Sequence, residues 1–420
     1  MQLGTDWLKR QGDDAPLLHV VDTAFFIDTP DRVGIAVSGG GDSMALLHLY
    51  ARWSDKTGHE IEAVTVDHGL RSQSADEAAD VQVFCQNRGI PHTTLKWQGW
   101  DGQGNLSAAA RDARYALMAD WAKTRGIGGI ALGHTRDDVA ESFLMRLGRR
   151  AGVDGLAAMR PQFTRHDLLW ARPLWQQGRE ELRDYLRRHD VTWVDDPTND
   201  DPAYTRTLAR QALVALEPLG IDRKTLHNIS HNLAMTRATL EHYTRQEADR
   251  LDVARGGDVV LPLNTALPQE IERRLASKAI QWIGGADYPA RSVAIKLIDL
   301  SMPDARAQTV SGCVLTPHDG TLRISRELNS VKDTICPTDQ IWDRRWRLDG
   351  PHNADLEIRA LGDAITDCPD WRDSGVPRRS LLASPAVFRG DELIAAPIAG
   401  HNQGWSAQIV AKFQTFLLSH

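Results

Sequence analysis

The amino-acid sequence predicts an α/β fold built on a doubly wound parallel sheet, followed by a helical domain and a small α+β domain. Short apolar runs alternate with helix-length segments between about residues 32 and 200, and this alternation is typical of βαβ units. Polar or glycine-rich segments follow three of those runs, after residues 37, 66 and 132. Because parallel strands end at one edge of their sheet, these three segments are expected to line one crevice.

Each element of the first domain has its own signal in the sequence. Apolar runs predict strands at residues 33–37, 61–66, 91–97, 129–132 and 168–173. Helical periodicity predicts helices at residues 75–88, 107–125, 137–147 and 179–189. Glycine follows the first three of these helices, at the position where it commonly ends a helix.

Three domains are expected, because 420 residues exceed the usual size of a single core. We predict a nucleotide-binding catalytic domain at residues 1–216, a mostly helical domain at 217–325 and a small α+β domain at 338–420. A polar stretch containing Pro337 precedes the last domain. Within that domain, strands are expected at residues 356–361, 386–388 and 393–396, and a closing helix at 407–418.

The composition is that of an ordinary globular protein, with 42% hydrophobic and 25% charged residues. Neither a secretory signal nor a membrane-spanning segment is expected. The four cysteines form no CxxC pair, which argues against zinc and iron–sulfur motifs and favours a reducing cytoplasm. The net charge of −7 does not favour a nucleic-acid partner, but arginines cluster at residues 146–150 and 179–188. Each cluster is either a local binding patch or an exposed helix face.

The glycine-rich turn after the first strand is the strongest functional signal. Its residues are Ser38, Gly39, Gly40, Gly41, Asp42 and Ser43. A glycine turn at the start of a helix presents main-chain N–H groups to an anion, and the serine hydroxyls add donors. No lysine follows the glycines, so the turn is not a Walker loop. We therefore predict a phosphate site, the alternative being a tight strand–helix turn without a ligand.

Four polar residues after the fourth strand form a second constellation. His134, Asp137, Asp138 and Glu141 are spaced so that a helix places them on one face. A histidine beside carboxylates is suited to proton transfer, and the carboxylates are suited to holding Mg²⁺ against phosphates. The alternative is a helix start whose acids only complement the helix dipole.

Three weaker signals lie elsewhere in the first domain. Asp67 follows the second strand, where an acid can contact a ribose or an adenine. Arg111 and Arg114 lie three residues apart on a predicted helix, as two guanidinium groups that bind phosphate would. Arg206 and Arg210 lie one turn apart on a later helix, where they either contact a phosphate backbone or are exposed.

Taken together, these segments resemble the tRNA(Ile)-lysidine synthetases, a family within the PP-loop ATP pyrophosphatases. The resemblance rests on SGGGDS at residues 38–43, VDHGLR at 66–71, the N-x-S-x-x-x-R-x-x-R-Y stretch at 105–115 and LGHTRDDVAES at 132–142. It continues with RPL at 172–174, WVDDPTN at 193–199 and YTR at 204–206. The recognisable motifs cover about residues 32–210. Ser142 and Thr207 depart from the family pattern, which commonly has Thr and Asn at these positions.

The resemblance implies a two-step ligation on a minor isoleucine tRNA with a CAU anticodon. ATP adenylates the C2 oxygen of the wobble cytidine and releases pyrophosphate; the ε-amine of free lysine then attacks C2 and displaces AMP, giving lysidine. It also implies residue roles. Residues 38–43 would hold the phosphates, with Asp67 and His134 also contacting ATP. Arg111 and Arg114 would contact the phosphates of ATP or clamp the target base. Asp42 and Asp138 would contact Mg²⁺, and the catalytic residues would be Asp42, His134, Asp138 and Arg206.

Other functions are less consistent with the residues. A tRNA thiolase of the same superfamily needs a catalytic cysteine or a cluster-binding CxxC, and neither lies near the predicted site. A glutamine-using synthetase needs a glutaminase domain or another ammonia source, and no N-terminal nucleophilic cysteine is present. A nucleotide-responsive RNA-binding protein without turnover has no need of the acidic face that follows His134. Whether the chain forms a homodimer is left open.

Overall fold

The computed structural model describes residues 5–25, 29–69, 74–98, 106–195, 205–251, 253–263, 267–285 and 306–419. These residues form two compact units, Met1–Arg237 and Ala238–His420. The finer division proposed from the sequence, at residues 216, 325 and 338, remains a proposal. Several residues of the sequence motifs, at 70–71, 105 and 196–204, lie outside the described residues.

The first unit contains a six-stranded sheet and the helices around it. Its strands are β1 (Arg32–Ala36), β2 (Glu60–Asp67), β3 (His92–Lys96), β4 (Gly129–Leu132), β5 (Gln162–Arg165) and β6 (Leu168–Ala171). Its helices are α1 (Thr5–Lys9), α2 (Ala15–Asp22), α3 (Gly41–Thr57), α4 (Ser74–Asn87), α5 (Leu106–Arg125), α6 (Arg136–Leu147), α7 (Val153–Leu156), α8 (Arg179–Arg188) and α9 (Thr205–Leu216). Helix α10 (Arg223–Ala248) begins in this unit and continues into the second.

The strand order is β3-β2-β1-β4-β6-β5, and every neighbouring pair is parallel except β5 with β6. The chain moves outward in one direction from β1 to β3 and then returns to the other side of β1 with β4. The point between β1 and β4 is therefore the topological switch point, where sheets of this kind bind ligands beyond their carboxyl ends. The parallel fold class predicted from the sequence is confirmed.

Both faces of this sheet are covered, as a parallel sheet requires. Val33 and Ile35 of β1 point to the face packed by α2, α3 and α8, whereas Ala36 and the β4 residues Ile130 and Leu132 point to the face packed by α5. Alternate residues of one strand thus contribute to two cores. Two buried layers fix the strand ends, and so they fix the positions of the loops that follow those ends.

The second unit contains three small sheets. Strands β7 (Val259–Pro262), β8 (Gln308–Val310), β9 (Cys313–His318) and β10 (Thr321–Arg326) form the first, beside α11 (Gln269–Gly284). Strands β11 (Cys336–Pro337), β13 (Glu357–Ala360), β14 (Pro385–Arg389) and β15 (Glu392–Ala395) form the second. Strand β12 (Trp346–Asp349) pairs with β16 (Ser406–Ile409), and helices α12 (Arg378–Leu382) and α13 (Phe413–Ser419) complete the unit.

Two expectations for the C-terminal half need correction. The predicted helix at residues 407–418 is wrong at its start, because residues 406–409 form β16 and the helix begins at Phe413. The region expected to be mostly helical, 217–325, also contains strands β7 to β10. Among the described residues, no helix is long and apolar enough to cross a membrane.

Candidate active site

The turn between β1 and α3 keeps its shape through its own serine hydroxyls and glycines. The Ser43 hydroxyl donates to the carbonyl oxygen of Gly40 (2.9 Å) and accepts from the amide of Ser38 (3.1 Å). Gly39 has a φ of +85°, a conformation that favours glycine. At the start of α3 the amides of Ser43 and Met44 both donate to the carbonyl oxygen of Gly40 (3.0 Å). The amides that precede Ser43 are therefore the turn's candidate donors for an anion at the switch-point crevice.

Two neighbours pack directly on this turn. A Cβ at Gly133, just after β4, would lie 3.1 Å from the Cα of Ser43, so any larger residue would push the start of α3 by a few tenths of an ångström. On the other side, the amide of Val194 donates to the carbonyl oxygen of Gly39 (3.0 Å), and the ring of Trp193 lies against Gly41. The segment that carries the family-specific WVDDPTN motif therefore helps to hold the turn in place.

Three carboxylates surround one guanidinium beside the turn. Arg179, the first residue of α8, lies 3.1 Å from Asp42 (Nε to Oδ2), 3.3 Å from Glu141 (Nη1 to Oε1) and 3.7 Å from Asp138 (Nη2 to Oδ1). We call Asp42, Asp138 and Glu141 the carboxylate cluster. Glu141 is almost fully buried, with a side chain only 1% exposed. A buried carboxylate is costly unless it is paired, so the arginines beside it stabilise this part of the cluster.

Helix α9 supplies further cations to the same cluster. Arg206 Nε lies 3.1 Å from Glu141 Oε2, and Arg210 Nε lies 2.7 Å from Glu141 Oε1. Arg206 also approaches Asp138 at 3.9 Å. The sequence placed Arg206 at the site, and in the structure its side chain reaches the carboxylates although it remains 46% exposed.

Asp137 has a positioning role next to the cluster. Its Oδ2 accepts from the main-chain amide of Arg179 (2.9 Å), and its Oδ1 pairs with Arg223 Nε of α10 (3.0 Å). One carboxylate therefore holds the start of α8 and the start of α10 against α6. This contact explains how Arg179 reaches the carboxylate cluster.

The pKa values of the two candidate metal ligands are shifted in opposite directions. Burial raises the pKa of Asp42 to about 6, and the neighbouring Asp138 adds to this effect against the opposing charge of Arg179. Burial acts in the same sense on Asp138, but His134, Arg206 and Arg179 outweigh it and hold its pKa below the usual value. The amide and hydroxyl of Thr135 also donate to Asp138 Oδ2, at 2.8 and 3.1 Å. Asp138 is therefore ionised at neutral pH.

His134 lies at the end of β4, close to both Asp138 and Arg172. Burial and the charge of Arg172 lower the pKa of His134 to about 3, so the imidazole is neutral at physiological pH. Arg172 donates from Nε to His134 Nδ1 (3.3 Å), which makes Nδ1 the acceptor and leaves the proton on Nε2. In this state Nε2 carries the proton that the histidine can donate to a ligand.

A cavity of about 200 Å³ opens beyond the ends of β1 and β2. Ser38, His68, Glu77 and Arg114 line its polar part. Asp67, the last residue of β2, comes directly before His68 of the cavity lining, and its carboxylate accepts from the amide of Gly69 (2.8 Å). The cavity adjoins the glycine turn through Ser38, an arrangement that suits the nucleoside of a bound nucleotide.

The structure brings most of the predicted residues together. Residues 38–43, His134, Asp138 and Arg206 meet at the switch point, and Arg114 lines the adjoining cavity. Arg111 instead lies over the ring of Tyr115, with its guanidinium carbon 5.5 Å from the ring centroid. Sequence reasoning did not assign Arg179 to the site, because the residue counted only as part of an arginine cluster that was either a local binding patch or an exposed helix face. Its position directly after Gly178, at the start of a helix that follows a strand, was the available signal.

The carboxylates present fit a magnesium ion. Asp42 Oδ1 is buried and has no hydrogen-bond partner among the described residues, and Asp138 Oδ1 has only the two long ionic contacts given above. Within those same residues, no group of three or more His, Cys, Asp and Glu side chains is arranged to hold a metal by itself. Mg²⁺ commonly takes one or two carboxylates together with substrate phosphates, and this donor set matches that requirement.

These features define a nucleotide-binding domain of the PP-loop class. The family model described as the PP-loop domain matches residues 16–217. Three relatives called tRNA(Ile)-lysidine synthase match most of the chain. The one from Ruegeria pomeroyi is 44% identical over 96% of this chain and 98% of its own. The one from Mesorhizobium japonicum is 50% identical over 88% and 85%, and the one from Wolbachia pipientis wMel is 32% identical over 91% and 92%. The chain therefore belongs to the tRNA(Ile)-lysidine synthase family.

Proposed function

We propose that this chain ligates lysine to C2 of the wobble cytidine of an isoleucine tRNA with a CAU anticodon, in the cytoplasm, consuming ATP and releasing AMP and pyrophosphate. The observation that carries the proposal is the arrangement at the switch point. There an amide-lined turn, the carboxylate cluster and a neutral histidine surround one crevice. Adenylating a nucleobase oxygen requires all three: a phosphate site, cation ligands and a hydrogen-bond donor.

In the first step, residues 38–43 hold the phosphates that leave as pyrophosphate. The nucleoside occupies the cavity next to Ser38, where Arg114 and the chain near Asp67 contact it. The C2 oxygen of the cytidine attacks the α-phosphorus, and the bond to the β-phosphate oxygen breaks. His134 donates from Nε2 to an oxygen of the transferring phosphate, because its other nitrogen accepts from Arg172.

Asp42 and Asp138 would hold Mg²⁺ against these phosphates. The ion, when bound, neutralises charge that builds up on the leaving pyrophosphate. Asp42 must be ionised for this purpose, and its pKa of about 6 leaves it ionised at neutral pH. Arg179 holds the carboxylates together through its contacts with both residues.

In the second step, the ε-amine of lysine attacks C2 and AMP leaves with the former C2 oxygen. The amine gives up a proton as the new carbon–nitrogen bond forms. Asp138 is the proton acceptor in this proposal, because it is ionised and hydrogen-bonded, whereas His134 carries its proton on the side facing the crevice. Arg206, at the mouth of the cluster, contacts the adenylated intermediate.

The test is an incubation of the purified chain with labelled lysine, ATP and bulk tRNA, in which the label in RNA is measured. The proposal expects label only when ATP and tRNA are both present. The Asp42→Asn variant should abolish incorporation, whereas Asp55→Asn, an exposed aspartate on the same helix α3, should retain it. Nucleotide and tRNA binding without any label would instead support an RNA-binding protein without turnover.

A further inference from the structure

The arginines around the switch-point crevice differ in how they are paired. The carboxylate cluster is matched by Arg179, Arg206 and Arg210. A second group, whose charges act on one another, consists of Arg111, Arg146 and Arg172. We call these three arginines the basic cluster. Among the residues that the structure describes, none of the three is ion-paired with a carboxylate. His134 lies between the two clusters, and both act on it electrostatically.

The basic cluster extends from solvent into the protein. Arg111 and Arg146 are exposed, whereas Arg172 is only 7% exposed. Arg172 is held in place by its bond to His134, by donation to the carbonyl oxygen of Arg160 and by the ring of Phe163, 4.2 Å from its guanidinium carbon. Arg146 donates to the carbonyl oxygen of Gly155 at 2.9 Å.

The arginines of this cluster repel one another. Burial lowers the pKa of Arg172, and the charges of Arg111 and Arg146 lower it further. Partial burial and the charge of Arg111 lower the pKa of Arg146 as well. Like charges held together without an acid gain free energy when an anion joins them, and guanidinium groups match the geometry of phosphate oxygens.

Resting on the proposed function, we infer that Arg111, Arg146 and Arg172 bind the phosphodiester backbone of the tRNA next to the wobble cytidine. The triphosphate of ATP already has a site in the amides of residues 38–43. The anticodon backbone brings further phosphates to the same crevice, where the arginines beside the carboxylate cluster are already paired with acids. The basic cluster, on the other side of His134, is the surface whose charge matches this backbone, and its two exposed members are accessible to a large ligand.

The test is a salt titration of tRNA binding to the full chain, comparing wild type with Arg146→Gln and Arg146→Lys. Loss of one phosphate contact should weaken binding about fivefold to tenfold at 50 mM salt and reduce the slope of log K against log salt by about 0.7 to 0.9. Arg146→Lys keeps the charge and should restore most of the slope. Arg165→Gln is the control, because Arg165 lies over the ring of Tyr115, as Arg111 of the basic cluster does, but is already paired with Asp112 at 2.8 Å.

The Michaelis constant for ATP decides which phosphate the cluster binds. It should stay unchanged in Arg146→Gln if the ligand is the tRNA backbone. An increased Michaelis constant for ATP with an unchanged salt slope would overturn the inference and assign the cluster to the nucleotide. Lysine incorporation by the wild type is measured in the same preparation. A wild type that binds tRNA with the expected slope but incorporates no lysine would contradict the proposed function and leave the phosphate site standing.

Discussion

Replacing Arg179 with glutamine should destabilise the protein because it removes the cation shared by three carboxylates. Asp42, Asp138 and Glu141 would lose contacts of 3.1, 3.7 and 3.3 Å. Removing one partner of a buried ion pair typically costs about 3 to 5 kcal/mol. Arg206 and Arg210 still pair with Glu141 in the variant, so we expect the lower end of that range, about 3 kcal/mol, at pH 7.5.

The pH dependence of this loss identifies its cause. In the folded protein Asp42 has a pKa of about 6, above its usual value of 3.8, so folding favours its protonated form. The ionised Asp42 therefore makes an unfavourable contribution to the stability of the folded protein above about pH 6. This contribution is relieved as the pH falls below that value and the carboxylate is protonated. Without Arg179 the pKa of Asp42 rises further. The difference in the free energy of unfolding between the variant and the wild type should therefore be smaller at pH 5 than at pH 7.5.

The assay is urea unfolding of both proteins at pH 7.5 and pH 5, followed by circular dichroism. Arg183→Gln is the control, because this residue lies one turn along α8 and pairs only with exposed acids, so it should change stability by less than about 0.5 kcal/mol. A loss below 1 kcal/mol for Arg179→Gln, or a loss equal at both pH values, would refute the electrostatic reasoning.

Two further substitutions test parts of the fold that support the site. Burial raises the pKa of Asp14, but Arg188, Arg52 and His189 outweigh it and lower the pKa to about 2. Asp14→Asn should therefore reduce the free energy of unfolding by about 2 kcal/mol at neutral pH, and this reduction should disappear as the pH falls from about 4 to 2. Unfolding curves measure it, with the exposed Asp13→Asn as control. An undiminished reduction at pH 2 would disprove the assignment. Gly133→Ala places a methyl group against the first turn of α3 and should raise the Michaelis constant for ATP about tenfold. Gly152→Ala is the control, because a methyl group there meets no atom within 4 Å, and it should leave the constant unchanged. Equal Michaelis constants for the two variants would show that the turn tolerates displacement.

Local patterns sufficed for the elements of the first domain that surround the site. Strand β4 occupies the predicted residues 129–132. A short apolar run between a glycine and a polar segment is typical of a buried strand in a parallel sheet. The turn at residues 38–43 and the helix carrying Asp138 were also predicted, since their composition already specifies a phosphate turn and a helix start. The edge strand β5 was missed, because its partner β6 alone determines that residues 162–165 are extended.

Contacts between distant segments could not be predicted in this way. Arg179 reaches the carboxylate cluster because Asp137, 42 residues earlier, holds its amide, and no local pattern records that bond. The same reason explains the error at residues 406–409, which pair as a strand with Trp346–Asp349 although their spacing permits a helix. Residue types and spacing indicated the chemistry of the site, whereas the arginines that set its charge required the tertiary structure.

A crystal structure of the protein with a non-hydrolysable ATP analogue and Mg²⁺ would show whether the turn at residues 38–43 is the phosphate site. We expect the triphosphate on that turn, the nucleoside in the cavity beside Ser38 and Arg114, and the ion on Asp42 and Asp138. A triphosphate bound at another place, with the turn at 38–43 empty, would contradict it.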